Sequence, residues 1–318
     1  MGPKRAKLAE DAEKDAEMDE EVSDESTDSE DEKMDEDEAT NDDQPEGMEQ
    51  LDFDFEALPP DAKDINQIGN LLTQIFLRTD IDFDGLSQAI VDQAPVGCVI
   101  LPTEDCVDED NDDTVYGVSS VVPLSAEKNF GVGELLTQRA KKYADKNVAQ
   151  TLAKLFGKNS TTKLGLLINE RMLHFPAQIS GKALEALKND IQSNASLNEI
   201  ETFIVILKMR FSEEGVKADG PSNSKVKPKG KAAKKRARAS KLEATEALFD
   251  NEEEGLLFEA MDSEFSYFQY PVHFDVESKS KFHVIRRNGV VYQPYRRVCL
   301  LSQAQLFGFC NRAAAAFA

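Results

Sequence analysis

Leu164-Gly-Leu-Leu-Ile-Asn-Glu-Arg171, the turn Met172-Leu-His-Phe-Pro176, and Ala177 to Asn194 form the stretch that decides the fold. Leu164, Leu166, Leu167 and Ile168 fill four of five positions, which suits a strand covered on both faces, although periodicity alone does not exclude a buried helix. Arg171 to Phe175 turns the chain, and Pro176 suits the first turn of a helix, where its missing N–H removes nothing. Ile179, Ala183, Leu184, Leu187 and Ile191 then fall on one helical stripe, and Ser193-Asn194 ends it. Glu201-Thr-Phe-Ile-Val-Ile-Leu-Lys208 is the most strand-like segment of the chain, rich in β-branched and aromatic residues. Strand, helix, strand is a βαβ unit, and it predicts two parallel or neighbouring strands at the centre of a sheet.

Leu166-Leu-Ile-Asn-Glu-Arg171, followed by His174-Phe-Pro-Ala-Gln-Ile179, resembles the signature of the BCCIP family, with Glu170, Arg171 and Pro176 as its structural residues. Asn70 to Leu77, Val96-Gly97, Val115-Tyr-Gly117 and the acidic-then-aromatic Asn251-Glu-Glu-Glu…Glu264-Phe-Ser-Tyr267 extend the likeness from about Ile65 to about Leu301. The resemblance implies a nuclear protein. Family members in animals bind a recombination mediator and a cyclin-kinase inhibitor, and fungal ones act as chaperones for a large-subunit ribosomal protein. It also implies a body similar to Gcn5-type acetyltransferases, without their activity.

Charge divides the chain. Its net charge is −23 over 318 residues, but residues 1–56 alone hold 25 acids and 5 bases, while the remainder is nearly balanced. So acidic and apolar-poor a segment is expected to be disordered, which predicts a tail over 1–57 and a folded body over 58–318. Thr27 and Ser29 each have an acid three positions on, the pattern acidophilic kinases favour; the alternative is that they only keep the tail soluble. Leu51, Phe53, Phe55 and Leu58 alternate with acids, as a short strand or anchor docking the tail's end would.

Cys98, Cys106, Cys299 and Cys310 form no C-x-x-C pair, so reduced, intracellular thiols are expected. The N-terminus lacks the apolar region of a signal peptide. The longest apolar run, Phe203 to Leu207, falls far short of the ~20 residues that span a bilayer, and a soluble protein is expected.

Past Pro59-Pro60, Asp64 is placed to cap a helix striped by Ile65, Ile68, Leu71, Leu72, Ile75 and Phe76. Asp82-Phe-Asp-Gly85 lacks a full set of calcium ligands and reads as a turn and cap for a helix to about Gln93. Val96 to Leu101 and Thr114 to Val122 read as antiparallel strands around an acidic loop, Glu104, Asp105, Asp108, Glu109, Asp110, Asp112 and Asp113. That loop is a candidate client-binding patch, and a solvated run is its plainer explanation. Helices follow over Glu134–Tyr143 and Asn147–Phe156.

Residues 215–241 form a basic insertion without apolar periodicity. Lys225, Lys227, Lys229, Lys231, Lys234, Lys235, Arg236 and Arg238 have the density of a nuclear import signal; a solvated loop is the alternative. Beyond it, a helix is expected over Leu248–Met261, strands over Glu264–Tyr270 and Arg296–Leu301, and a closing helix over Gln303–Phe317. The alanine-rich end lacks the charged helix of the family. Together these elements predict a single three-layer α/β domain, a mixed sheet of about six strands with helices on both faces.

Enzyme motifs are weak. Lys128-Asn-Phe-Gly131-Val-Gly133 lies where acetyltransferases hold coenzyme A on helix-start N–H groups, but has Lys where Gln or Arg belongs. Phe156 to Thr162 lacks the upstream glycine of a phosphate loop. His174, His273 and His283 show no triad spacing, and Glu170-Arg171 reads as an ion-pair network fixing the next turn. Neither a catalytic set, a cofactor nor a metal is assigned. What remains is a nuclear protein-binding factor: an escort for a basic client such as a ribosomal protein, carried by an import receptor, or an adaptor in repair and cell-cycle control, with an acetyl-CoA-dependent acetyltransferase as the second alternative. Sequence-specific nucleic-acid binding is not expected, since the chain is acidic and its basic run lacks interleaved aromatics.

Overall fold

The structure, a computed structural model, describes residues 54–103, 114–173, 175–212, 247–259, 265–273, 275–276, 280, 284–287 and 290–317. Residues 1–53 of the acidic tail, with Thr27 and Ser29, the loop 104–113 and the insertion with its import run lie outside them, as do Cys106, His174 and His283; residues 55–57, expected to belong to a disordered tail, lie instead in a paired strand, Phe55–Leu58.

The elements run β1 (Phe55–Leu58), a 3-10 turn (Ala62–Asp64), α1 (Ile65–Phe76), α2 (Phe83–Val91), β2 (Cys98–Pro102), β3 (Gly117–Leu124), α3 (Val132–Tyr143), α4 (Lys146–Leu155), β4 (Leu164–Arg171) and α5 (Gln178–Ser193). Then come β5 (Thr202–Ser212), β6 (Leu248–Phe249), a 3-10 turn (Glu252–Gly255), α6 (Leu256–Glu259), β7 (Ser266–Pro271), β8 (Ile285–Arg287), β9 (Val290–Ser302) and α7 (Gln303–Ala316). Among the described residues nine strands form one sheet in the order β1-β2-β3-β4-β5-β9-β7, with β6 on β5 and β8 on β9. β4 and β5 are parallel, as the βαβ pattern requires, and every other pair is antiparallel.

The two-residue period of the strands separates two apolar layers. Leu164, Leu166 and Ile168 of β4 join Ile204 and Ile206 of β5 and Val298 and Leu300 of β9 beneath α1 to α4. Leu167, Phe203, Val205, Leu207, Cys299 and Leu301 face the other way, onto α5, α6 and α7. Helices therefore cover both faces, which is why the central strands read as continuous apolar runs. Arg296 of β9 is buried in the first layer and has no ion-pair partner among the described residues. Its Nε donates to Ile75 O at 2.8 Å and its Nη2 to Gln74 O at 2.7 Å, so it caps the C-terminal carbonyls of α1.

Several expectations change. The helix expected over 248–261 is a two-residue strand, a 3-10 turn and one turn of α6, because Leu248 and Phe249 pair with Arg210 and Met209. Sheet extension overrides local helix propensity there. β9 starts at Val290, and its hairpin with β8 was missed. Among the described residues the sheet has nine strands rather than about six: β1 is the short strand expected near Phe55 and Leu58, while β6 and β8 are short additions. Asp64 does not cap α1 but reaches back to the N–H of Asp61 at 2.8 Å in a capping box. Pro176 precedes the helix, whose N-cap is Ala177.

Candidate functional site

β4 and β5 are in register only from Leu164–Thr202 to Leu167–Val205. Beyond that the two parallel strands splay, and main-chain groups on both lose their ladder partners. Residues 250–254 fill the wedge. Asp250 N donates to Lys208 O at 2.9 Å, Lys208 N donates to Glu254 Oε2 at 3.1 Å, and Asn251 Nδ2 donates to Asn169 O at 3.4 Å. Side chains thus stand in for strand pairing, which satisfies backbone groups that would be costly to bury unpaired.

Charge fastens this plug. Lys208 Nζ meets Glu170 Oε1 at 2.5 Å, with each side chain 1% exposed. Arg171 grips Glu253 with both terminal nitrogens, Nη2 to Oε2 at 2.7 Å, and its Nε donates to Phe175 O at 3.3 Å. Arg210 Nε donates to Asp250 Oδ1 at 2.7 Å. Asn169 Nδ2 adds a bond to Glu253 Oε1 at 2.8 Å. Three cations thus face four carboxylates, and Glu254 is the acid without a cation of its own. Burial pushes its carboxyl well above the ordinary range, and neighbouring Glu253 pushes the same way, against the pull of Lys208 and the Asn251 bond.

The other feature is a groove of about 420 Å³ between β1 and α5. Ile179, Ala183 and Ala186 line its helix side, Ala57 and Leu58 its strand side, and Gly97, Cys98 and Ile100 its floor. Phe55 anchors β1 beside it, with ring centroids 4.4 Å from Phe175 and 5.4 Å from Tyr116. The stretch 166–179 therefore does two things: Glu170 and Arg171 fasten the wedge, while Ile179 lines the groove and Phe175 packs on Phe55 of β1.

The family model for BCCIP matches residues 50–257, which include β1 to β6, the plug and the groove. The chain belongs to the BCCIP family. The Protein BCCIP homolog of Caenorhabditis elegans is 34% identical over 278 residues, covering 82% of this chain and 79% of that one. The BRCA2 and CDKN1A-interacting protein of Bos taurus is 29% identical over 231 residues, 69% of each chain. The crystal structure of BCP1 from Saccharomyces cerevisiae superposes with a TM-score of 0.44 at 14% identity, over 86% of this chain and 92% of that one. BCCIP is not a known enzyme family.

In this BCCIP-family chain the glycine loop before α3 is already taken. Gly131, with φ +83°, is the N-cap of α3 and makes no side-chain cap itself. The N–H groups of Gly131 and Gly133 both donate to Asn129 Oδ1 at 3.2 Å. A Cβ on Gly131 would lie 2.6 Å from Asp80 O, so the glycine serves close packing. Helix-start donors satisfied by Asn129 are not presented to a pyrophosphate.

Burial pushes the thiols of Cys98 to about 11 and Cys310 to about 12, and raises that of Cys299 further. Such thiols are poor nucleophiles. Among the described residues no group of His, Cys, Asp and Glu could hold a metal, and no helix is long and apolar enough to cross a membrane.

Of the candidate residues named from sequence, only Glu170, Arg171 and Pro176 are described. Glu170 and Arg171 pair with Lys208 and Glu253, Arg171 also bonds Phe175 O in the following turn, and Pro176 stands just before α5. Lys208, Arg210, Asp250, Glu253, Glu254 and the groove were missed. One signal was available: Lys208 and Arg210 alternate inside an otherwise apolar strand, where a cation demands a buried partner.

Proposed function

We propose that this chain is a non-enzymatic nuclear binding factor that escorts a basic ribosomal protein of the large subunit until assembly. One observation carries the reading: 25 acids against 5 bases in residues 1–56, beside a nearly neutral body. An unassembled ribosomal protein exposes a Lys/Arg-rich, RNA-binding surface, and a polyanion screens that surface without one rigid geometry. Electrostatic attraction of this kind acts mainly on the association rate and weakens with salt. The folded body then selects the client, and the stretch before it speeds capture. The acidic loop Glu104–Asp113 adds a second patch, and the run Lys225–Arg238 addresses the complex to an import receptor.

A second reading has its own support. The mammalian relative's name records interaction with BRCA2 and CDKN1A, which favours an adaptor role in DNA repair and cell-cycle control. The two roles are compatible.

The test uses purified large-subunit ribosomal proteins, one at a time, with the full chain and a chain lacking residues 1–50. Deletion should lower the on-rate and flatten its salt dependence while leaving the off-rate nearly unchanged. Equal on-rates at low and high salt would remove the acidic stretch from capture.

A further inference from the structure

β1 is an edge strand. Among the described residues it pairs only with β2. Pro102, opposite Phe55, has no N–H, so that pair is a non-bonded one, and Thr103 N donates to Asp54 O at 3.1 Å on the bonded phase. The alternation sends the N–H and C=O of Ala57, one of the groove-lining residues, away from β2. Ala57 and Ala186 are exposed, and Leu58 is 39% exposed. Unpaired main chain beside an apolar groove is the geometry that accepts an added strand.

The occupant follows by elimination and by charge. Leu51 and Phe53 stand too near β1 in sequence to double back on it, since even the tightest hairpin needs a two-residue turn. The basic run Lys225–Arg238 holds one bulky apolar residue, Val226, and cannot fill the groove with alternating side chains. A second copy pairing β1 to β1 would bring two stretches of 25 acids and 5 bases together. Those acids run directly into the strand, ending with Asp52, Asp54 and Glu56, against a single groove-lining cation, Lys182. A basic segment fits where an acidic one is repelled.

We propose that an extended segment of the client, alternating bulky apolar residues with Lys or Arg, adds to the outer edge of β1. Its apolar side chains lie over Ala183 and Ala186, and its cations meet Glu56. This site rests on the escort reading and names the client's recognised feature.

The probe is a blocked Lys-Val-Lys-Ile-Lys-Val-Lys peptide, with a Lys/Gly/Ser peptide of equal charge as control. Titrated into the full chain at moderate salt, the first should bind saturably and at least tenfold tighter than the second, and should slow exchange of the Ala57 amide. Ala57→Pro removes the outward N–H without touching the β2 ladder, and Ala186→Trp fills the groove from an exposed position. Each should weaken the Val/Ile peptide at least tenfold, with thermal melting unchanged and the control peptide unaffected. Equal affinity of the two peptides, or variants that bind like the parent, would overturn the strand-addition site. Neither result would touch the escort reading, which stands or falls on ribosomal-protein on-rates. An Ala57 amide protected without peptide would also overturn it. Concentration-independent protection would assign the edge to this chain's own residues, and concentration-dependent protection to a second copy.

Discussion

Arg171 and Glu253 lie 82 positions apart and are both buried, so each neutralises a charge that would otherwise be buried unpaired. Removing one member of such a pair strands the other in a low-dielectric interior. Glu253→Ala should destabilise the fold by ~3–5 kcal/mol. A double-mutant cycle with Arg171→Ala, read by denaturant midpoints, should show the double variant less destabilised than the sum of the singles; simple additivity would mean the pair is not coupled. Glu254 makes the opposite kind of statement. Its folded-state pKa is raised above the usual 4.5 by burial and by Glu253, so the folded chain keeps a proton that the unfolded chain has released. Its contribution is therefore fully present below pH 4.5 and is lost as pH rises through the folded value. Glu254→Gln should flatten that part of the stability–pH curve, measured by chemical denaturation at successive pH values. An unchanged slope would place the titration elsewhere.

At the scale of elements, α5 and α7 show how one small residue positions a helix. Gly181 faces the end of α7, and a Cβ there would lie 2.9 Å from Ala313 O and 3.1 Å from the Cβ of Phe317. Larger side chains must push the helices apart. Gly181→Val should cost about 1–3 kcal/mol by overpacking, although valine gains backbone rigidity over glycine. Thermal unfolding measures the balance, and a neutral result would mean that α7 yields freely. α7 itself starts cleanly because Ser302 and Gln305 form a capping box, a four-residue signal present in the sequence. The hairpin of β8 and β9 was legible in the same way, since Asn288-Gly289 is a strong two-residue turn sequence between alternating segments.

For the whole molecule, charge segregation makes the prediction. The import run lies outside the described residues, so its test is direct: Lys234, Lys235, Arg236 and Arg238 changed together to Ala should move a fluorescent fusion from nucleus to cytoplasm. Retention in the nucleus would discard this run as the address, with Lys4-Arg5-Ala6-Lys7 the next to test. Under the escort proposal, capture by the acidic stretch and selection by the β1 edge would act at different steps, the first the more salt-sensitive.

The sequence by itself determined the parallel β4–α5–β5 centre, the covering of both sheet faces and the division into an acidic stretch and a balanced body. Each of these follows from local periodicity or from composition, which need no knowledge of distant partners. It also carried Glu170-Arg171 as an ion-pair site, because an adjacent acid and base at the end of an apolar strand must find partners. Only the tertiary structure decided which partners. Lys208 meets Glu170, Arg171 meets Glu253, and Asn251 and Glu254 complete the wedge, because β4 and β5 lose register after Leu167 and Val205. The groove is likewise invisible in sequence: Ala183 and Ala186 read as ordinary helix residues until β1 is placed beside them. Strand splay and the spacing of a helix from a sheet edge arise from packing over the whole domain, and no local pattern records them.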